Sequence, residues 1–143
     1  MKKTIALAVL AASLLSGCSP RHDAQRPENV ALTFFDALYN QNDAQTAMTL
    51  VADDLREVMG HYRIASQIQR NMVGLPLDEA ELEVAEVDID FFRRNSDQVE
   101  VLVRFSGHSG HRLIRDDRLV RLERRGEQWV ITRIYSDKFK TNG

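Results

Sequence analysis

His108 and His111 stand three residues apart, with Asp116 and Asp117 close behind them in sequence. Two imidazoles and a carboxylate form a zinc-type donor set. The stretch Ser106-Gly-His-Ser-Gly-His111 reads as a glycine-containing loop, however, where that spacing fixes no donor geometry, and no metal ligand or cofactor site is assigned. His61 sits at a predicted helix boundary with no evident partner. Arginines crowd the later part of the chain, from Arg104 to Arg133. If they share one sheet face they make a basic patch, and Arg118 and Arg121 are the candidates for holding an anion or a protein partner. Strand alternation puts arginines on both faces, and Asp116, Asp117, Glu123 and Glu127 offset them. Cys18 is the single cysteine, which excludes an internal disulfide, a cysteine-based zinc cluster and a CxxC redox pair.

The surroundings of Cys18 give it a role. Met1-Lys2-Lys3 is a basic start, and Ile5 to Leu15 is an apolar run of 11 residues. That run fits a secretory signal and is shorter than the roughly 20 apolar residues a spanning helix needs. It closes in Leu15-Ser16-Gly17-Cys18-Ser19-Pro20. Residues 1–18 thereby resemble bacterial lipoprotein precursors, whose signal ends in Leu, two small residues and a cysteine. The resemblance implies cleavage after residue 17, acylation of Cys18, and a lipid anchor in the bilayer. Several acyl chains, at about 0.8 kcal/mol per buried methylene, hold a protein stably where one chain does not. Ser19 rather than Asp after the cysteine implies sorting to the outer membrane, with the domain facing the periplasm. Residues 18–26 form a polar tether; its eight residues from Ser19 to Arg26 reach at most about 26–29 Å.

Composition limits the class of protein. The chain has 143 residues, 43% apolar and 28% charged, which suits one globular domain. Its formal charge of −2 becomes −4 when Lys2 and Lys3 leave with the signal, giving no electrostatic case for nucleic acid.

The elements that must position any site fall into two halves. Pro27-Glu28 suits a helix start, and Val30, Ala31, Phe34, Phe35, Ala37 and Leu38 form its apolar stripe. Asn40-Gln41-Asn42 breaks it, and Asn42 or Asp43 caps a second helix carrying Ala47 and Met48. Asp53 or Asp54 caps a third with Leu55, Val58, Met59 and Tyr62, and Ile64, Ile68 and Met72 continue helically until Gly74 and Pro76. The period then changes to two. Leu82, Val84, Val87, Ile89 and Phe91 alternate with acids, with a slip at Ala85-Glu86 that reads as a bulge. Arg94-Asn95-Ser96-Asp97 is a turn before Val99, Val101, Val103 and Phe105. Leu113 to Arg124 reads as a strand interrupted near Asp116-Asp117, and Arg125-Gly126-Glu127 turns into a final strand with Trp129, Ile131, Ile134 and Tyr135. The expected core includes Phe34, Leu38, Val101, Val103 and Trp129, with Phe91, Phe105 and Tyr135 in core and sheet packing.

Helices followed by an antiparallel meander of four strands are an α+β pattern, and a long bulged sheet should curl beneath its helices. Ala31-Leu-Thr-Phe-Phe-Asp-Ala-Leu38, Ala47, Ala52-Asp-Asp-Leu55 and the closing Gly126, Trp129 and Ile131 resemble the nuclear-transport-factor-2-like, or cystatin-like, superfamily over roughly residues 27–137. The domain is assigned to residues 27–139, with 140–143 as a tail. The resemblance implies a cone between helices and sheet, lined here by Phe34, Phe35, Leu38, Leu55, Met59 and Ile68, and admits a homodimer through the sheet. The family's isomerases need a tyrosine on the first helix and a carboxylate after the next ones. Those positions fall near Phe34 and Met59, which can neither donate to an oxyanion nor take a proton. Tyr39 and Tyr62 could substitute only if the register moved by several residues. The expected function is a non-catalytic, membrane-anchored module that binds an envelope protein or peptidoglycan. The alternative is a small-molecule pocket or an isomerase-like enzyme.

Overall fold

The computed structural model describes residues 26–89 and 97–136. The expected signal and lipobox with Cys18, the expected tether before Arg26, Phe91, the expected turn residues Arg94, Asn95 and Ser96, and residues 140–143 lie outside the described residues. The helical half comprises α1 (Pro27–Tyr39), α2 (Ala44–Met48), α3 (Asp53–Tyr62) and α4 (Ala65–Ile68), which runs into a π-helical turn, Gln69–Val73. The sheet half comprises β1 (Ala80–Ile89), β2 (Gln98–Ser109), β3 (Arg112–Arg125) and β4 (Gln128–Tyr135), all antiparallel in the order β1-β2-β3-β4. This is the α+β architecture that the sequence predicts.

The first helix forms as its residues dictate. Pro27 occupies the first turn, where its missing N–H costs nothing, and the whole apolar stripe from Val30 to Leu38 is buried. Phe35 meets Phe105 edge-on with ring centroids 4.9 Å apart, and Tyr39 lies 5.2 Å from the same ring, which fixes α1 across β2. Asp43 caps α2, its carboxylate accepting the Thr46 N–H at 3.0 Å. In α3 the cap is Ala52; Asp53 and Asp54 instead occupy the first turn, where their charge meets the positive helix end. The helical pattern through Ile64 is broken, because Arg63 takes φ +63° and Ile64 becomes the extended residue before α4.

On β2, Val99, Val101, Val103 and Phe105 are buried beneath the helices, and the residues between them face away from the helices. The register of β1 on β2 slips between Val84 and Glu86, the bulge predicted at Ala85-Glu86. Two expectations for the later strands fail. Residues 106–109 belong to β2, and only a tight turn through Gly110, at φ +61°, separates it from β3. β3 is also uninterrupted, since Phe105 pairs with Asp116 and Arg104 with Asp117 without a slip. Arg118 and Arg104 take the two acids' charge, so the strand can carry both. Trp129 is half-buried against the core rather than within it, and Tyr135 lies on the sheet face opposite the helices.

Both sheet edges are engaged, at different points along the sheet. The Asn40 side chain brackets Ala80 on β1, accepting its N–H at 3.0 Å and donating to its carbonyl at 2.9 Å. On β4, Ala52 N–H donates to Ile131 and Ile131 N–H to Leu50, both at 2.9 Å. The segment Leu77–Glu79 crosses over Gly107, where a Cβ would lie 2.1 Å from the Glu79 carbonyl oxygen. Only glycine permits that approach.

Candidate functional site

The proposed cone-lining residues converge in the core. Phe34, Phe35, Leu38, Met59 and Ile68 are fully buried in a single apolar cluster, and Leu55 packs against it half-buried. The polar groups among them are already engaged. Tyr39, a turn beyond Phe35, donates its hydroxyl to the Leu75 carbonyl at 2.6 Å. Burial pushes its phenol well above the usual range, and the Arg118 charge only partly offsets this. Gln69, at the start of the π-helical turn, donates to the Leu38 carbonyl at 2.8 Å. Among the described residues no buried side-chain nitrogen or oxygen lacks a hydrogen-bond partner. Tyr62 is half-buried at the end of α3, and His61 is exposed beside it.

Arg118 is not part of a surface patch. It is 5% exposed on the helix-covered face of β3. Its guanidinium donates to the carbonyls of Val73 (2.8 Å), Gly74 (3.0 Å) and Asp117 (2.8 Å), and lies 2.8 Å from a carboxylate oxygen of Asp116. The cation thus closes the negative C-terminal end of the π-helical turn and ties it to the sheet. Arg121, three residues along the strand, faces the opposite way. There it donates to Glu100 at 2.8 Å, a bond that holds the guanidinium more firmly charged than usual. Arg104 pairs with Asp117 and Arg125 with Glu123, while Arg133 lies 4.7 Å over the Tyr135 ring. The arginine-rich strands therefore carry local charge pairs, as strand alternation with neighbouring acids implies, and not the contiguous basic patch for which Arg118 and Arg121 were the candidates.

His108 lies on β2 and His111 in the turn after it. Among the described residues no group of three or more His, Cys, Asp or Glu side chains could hold a metal ion. His108 instead lines an open groove of about 420 Å³ on the sheet face opposite the helices. Ser106, Gly107, Asn40 and Ala80 also line it. Glu79 and Glu81 stand on the β1 side; Leu113 and Arg115 stand on the β3 side. The register sets Glu81, Ser106 and Arg115 in one row across three strands. The rim is tied down by the Asp78 N–H, which donates to the His108 carbonyl at 2.8 Å, and by Gly110 N–H, which donates to the Asp78 carboxylate at 3.1 Å. Sequence reasoning missed this groove because it treated residues 106–111 as a loop. The signal was a serine and a glycine inside an otherwise bulky strand, with charged residues to either side.

No protein-family model matches the chain, and no curated protein matches it in sequence. Two solved structures are similar in fold. One is the solution structure of a SEC-C motif containing protein from Rhodopseudomonas palustris, 10% identical, with TM-score 0.58 over 80% of this chain and 81% of that one. The other is a protein with a ketosteroid isomerase-like fold from Catenulispora acidiphila, determined in complex with trimethylamine; it is 16% identical, with TM-score 0.48 over 78% of this chain and 88% of that one. The first likeness shows a shared fold and says nothing of activity.

Proposed function

We infer that the protein is a lipid-anchored module of the bacterial envelope that binds a partner without transforming it. The anchor is Cys18, acylated after cleavage of residues 1–17, and the domain faces the periplasm from the outer membrane. The observation that carries the non-catalytic reading is the disposition of polar groups. Inside, the Tyr39 hydroxyl, the Gln69 amide and the Arg118 guanidinium are each bound to backbone carbonyls. A general acid, base or oxyanion donor must be available to a substrate, and these are already committed. Arg115, Glu79 and Glu81, by contrast, have no ion-pair partner among the described residues, and all three line the surface groove. The fold is compatible with binding, and the groove lies within the 300–1,000 Å³ typical of ligand sites.

A photo-crosslinking side chain at position 113, on the groove rim, tests this in intact cells against one at position 58 on α3. Leu113 and Val58 are 64% and 45% exposed, so both substitutions are tolerable. Adducts in the membrane fraction from position 113 and not from 58 are expected. Adducts from 58 alone, or from neither, would overturn the reading.

A further inference from the structure

We propose that the groove binds a short peptide through both of its charged ends, the ammonium on the β1 side and the carboxylate on the β3 side; this rests on the reading of the protein as a binding module. Three observations combine.

The first is charge of opposite sign on the two walls. Glu79 and Glu81 face Arg115 across the groove, and none of the three makes an ion pair within the described residues. Nearby arginines on the same sheet face do find partners, Arg104 with Asp117 and Arg121 with Glu100. A guanidinium offers a planar fork that matches a carboxylate in two parallel hydrogen bonds, and a carboxylate pair suits an ammonium.

The second is the gap between the walls. Ser106 separates Glu81 from Arg115 in the strand register, so the two side chains spring from strands two spacings apart, about 9–10 Å. Ser106 is too short to bridge them. An α-amino acid held between the two charges leaves the rest of the lining, Leu113 and His108, uncovered. Two or three extended residues span up to about 7–11 Å, enough to run from one wall to the other along that lining.

The third is the lining between the charges. Leu113 is an exposed large apolar side chain standing on the groove wall, and His108 and Ser106 supply hydrogen-bonding capacity along it. A ligand backbone crossing the floor therefore meets polar partners while a small apolar side chain rests on Leu113.

Calorimetric titration of the full chain with trialanine, N-acetyl-trialanine, trialanine amide and free alanine tests the proposal. Trialanine should bind, and either cap or the shortening to alanine should weaken binding at least tenfold. Arg115→Gln should lose the preference for the free carboxylate, and Glu79→Gln with Glu81→Gln the preference for the free ammonium. All these side chains are exposed, so an unchanged denaturation midpoint verifies the fold. Equal affinity for capped and uncapped peptides, no heat from trialanine at about 10 mM, ten times a Kd of about 1 mM, or an Arg115→Gln variant that still distinguishes them would overturn the proposal. If that happens while crosslinking from position 113 persists, the binding module stands and only the ligand class falls. Loss of both removes the groove as a site.

Discussion

Replacing Arg118 by Met removes the cation that joins the π-helical turn to the sheet while keeping the bulk of its stem. Three carbonyl acceptors, on Val73, Gly74 and Asp117, lose their donor, and the Asp116 carboxylate loses an ion-pair partner at 2.8 Å. Breaking one side of a buried charge pair costs about 3–5 kcal/mol, and each buried acceptor left unmet costs about 1–3 kcal/mol unless water reaches it. Partial hydration near Gly74 and the half-exposed Asp116 keeps the total near the lower range, about 3–5 kcal/mol. For a domain of this size that corresponds to a fall in Tm of about 10–20 °C. Arg121→Met is the matched control, because its pair with Glu100 is partly solvated and exposed pairs are worth about 0–1 kcal/mol. Urea unfolding of the two variants with a common slope measures the difference. An Arg118→Met protein no less stable than Arg121→Met would refute the role given to the buried guanidinium.

Gly107→Ala should destabilise by at least the upper end of the 1–3 kcal/mol range for overpacking, since the new Cβ meets backbone at 2.1 Å; Gly60→Ala, with nothing within 4 Å, should leave the denaturation midpoint unchanged or raise it. Asp43 is held below the usual carboxylate range, chiefly by the Thr46 hydroxyl and then by the Thr46 N–H. Its contribution is therefore present above the unfolded carboxylate pKa of about 3.9 and is lost as pH falls through the lower folded value. The stability gap between wild type and Asp43→Asn should be constant above about pH 5 and shrink below pH 4 in thermal melts, and a gap that does not shrink contradicts the capping account. Mass spectrometry of membrane-extracted protein should find acyl mass on a peptide beginning at Cys18; a Cys18→Ser chain that is still cut after residue 17 and stays in the membrane fraction would disprove the anchor.

Much of the fold was legible because its signals are local. The apolar stripe of α1, the cap at Asp43, the slip near Ala85 and the Gly126 turn each follow from residue type and spacing, and each appears in place. The errors arose where a distant partner decides. Asp116-Asp117 reads as a strand breaker until Arg118 and Arg104 are placed beside it. Alternation already parts Arg118 from Arg121, but only the carbonyls of Val73 and Gly74 show that Arg118 is buried rather than a surface contact. The groove could not be read at all, because it depends on the three-strand register that aligns Glu81, Ser106 and Arg115.

The central claim is that the protein binds at the outer groove and leaves its ligand unchanged. Amide and aromatic NMR spectra of the full chain in detergent micelles, titrated with the soluble peptide fraction of an envelope digest, test it directly. Shifts should cluster at Glu79–Glu81, Ser106–His108 and Leu113–Arg115, with the ring resonances of Phe34, Phe35 and Tyr39 unmoved and the recovered peptides unaltered in mass. Shifts concentrated on those three rings, or peptides converted to new masses, would contradict it and place the function in the interior.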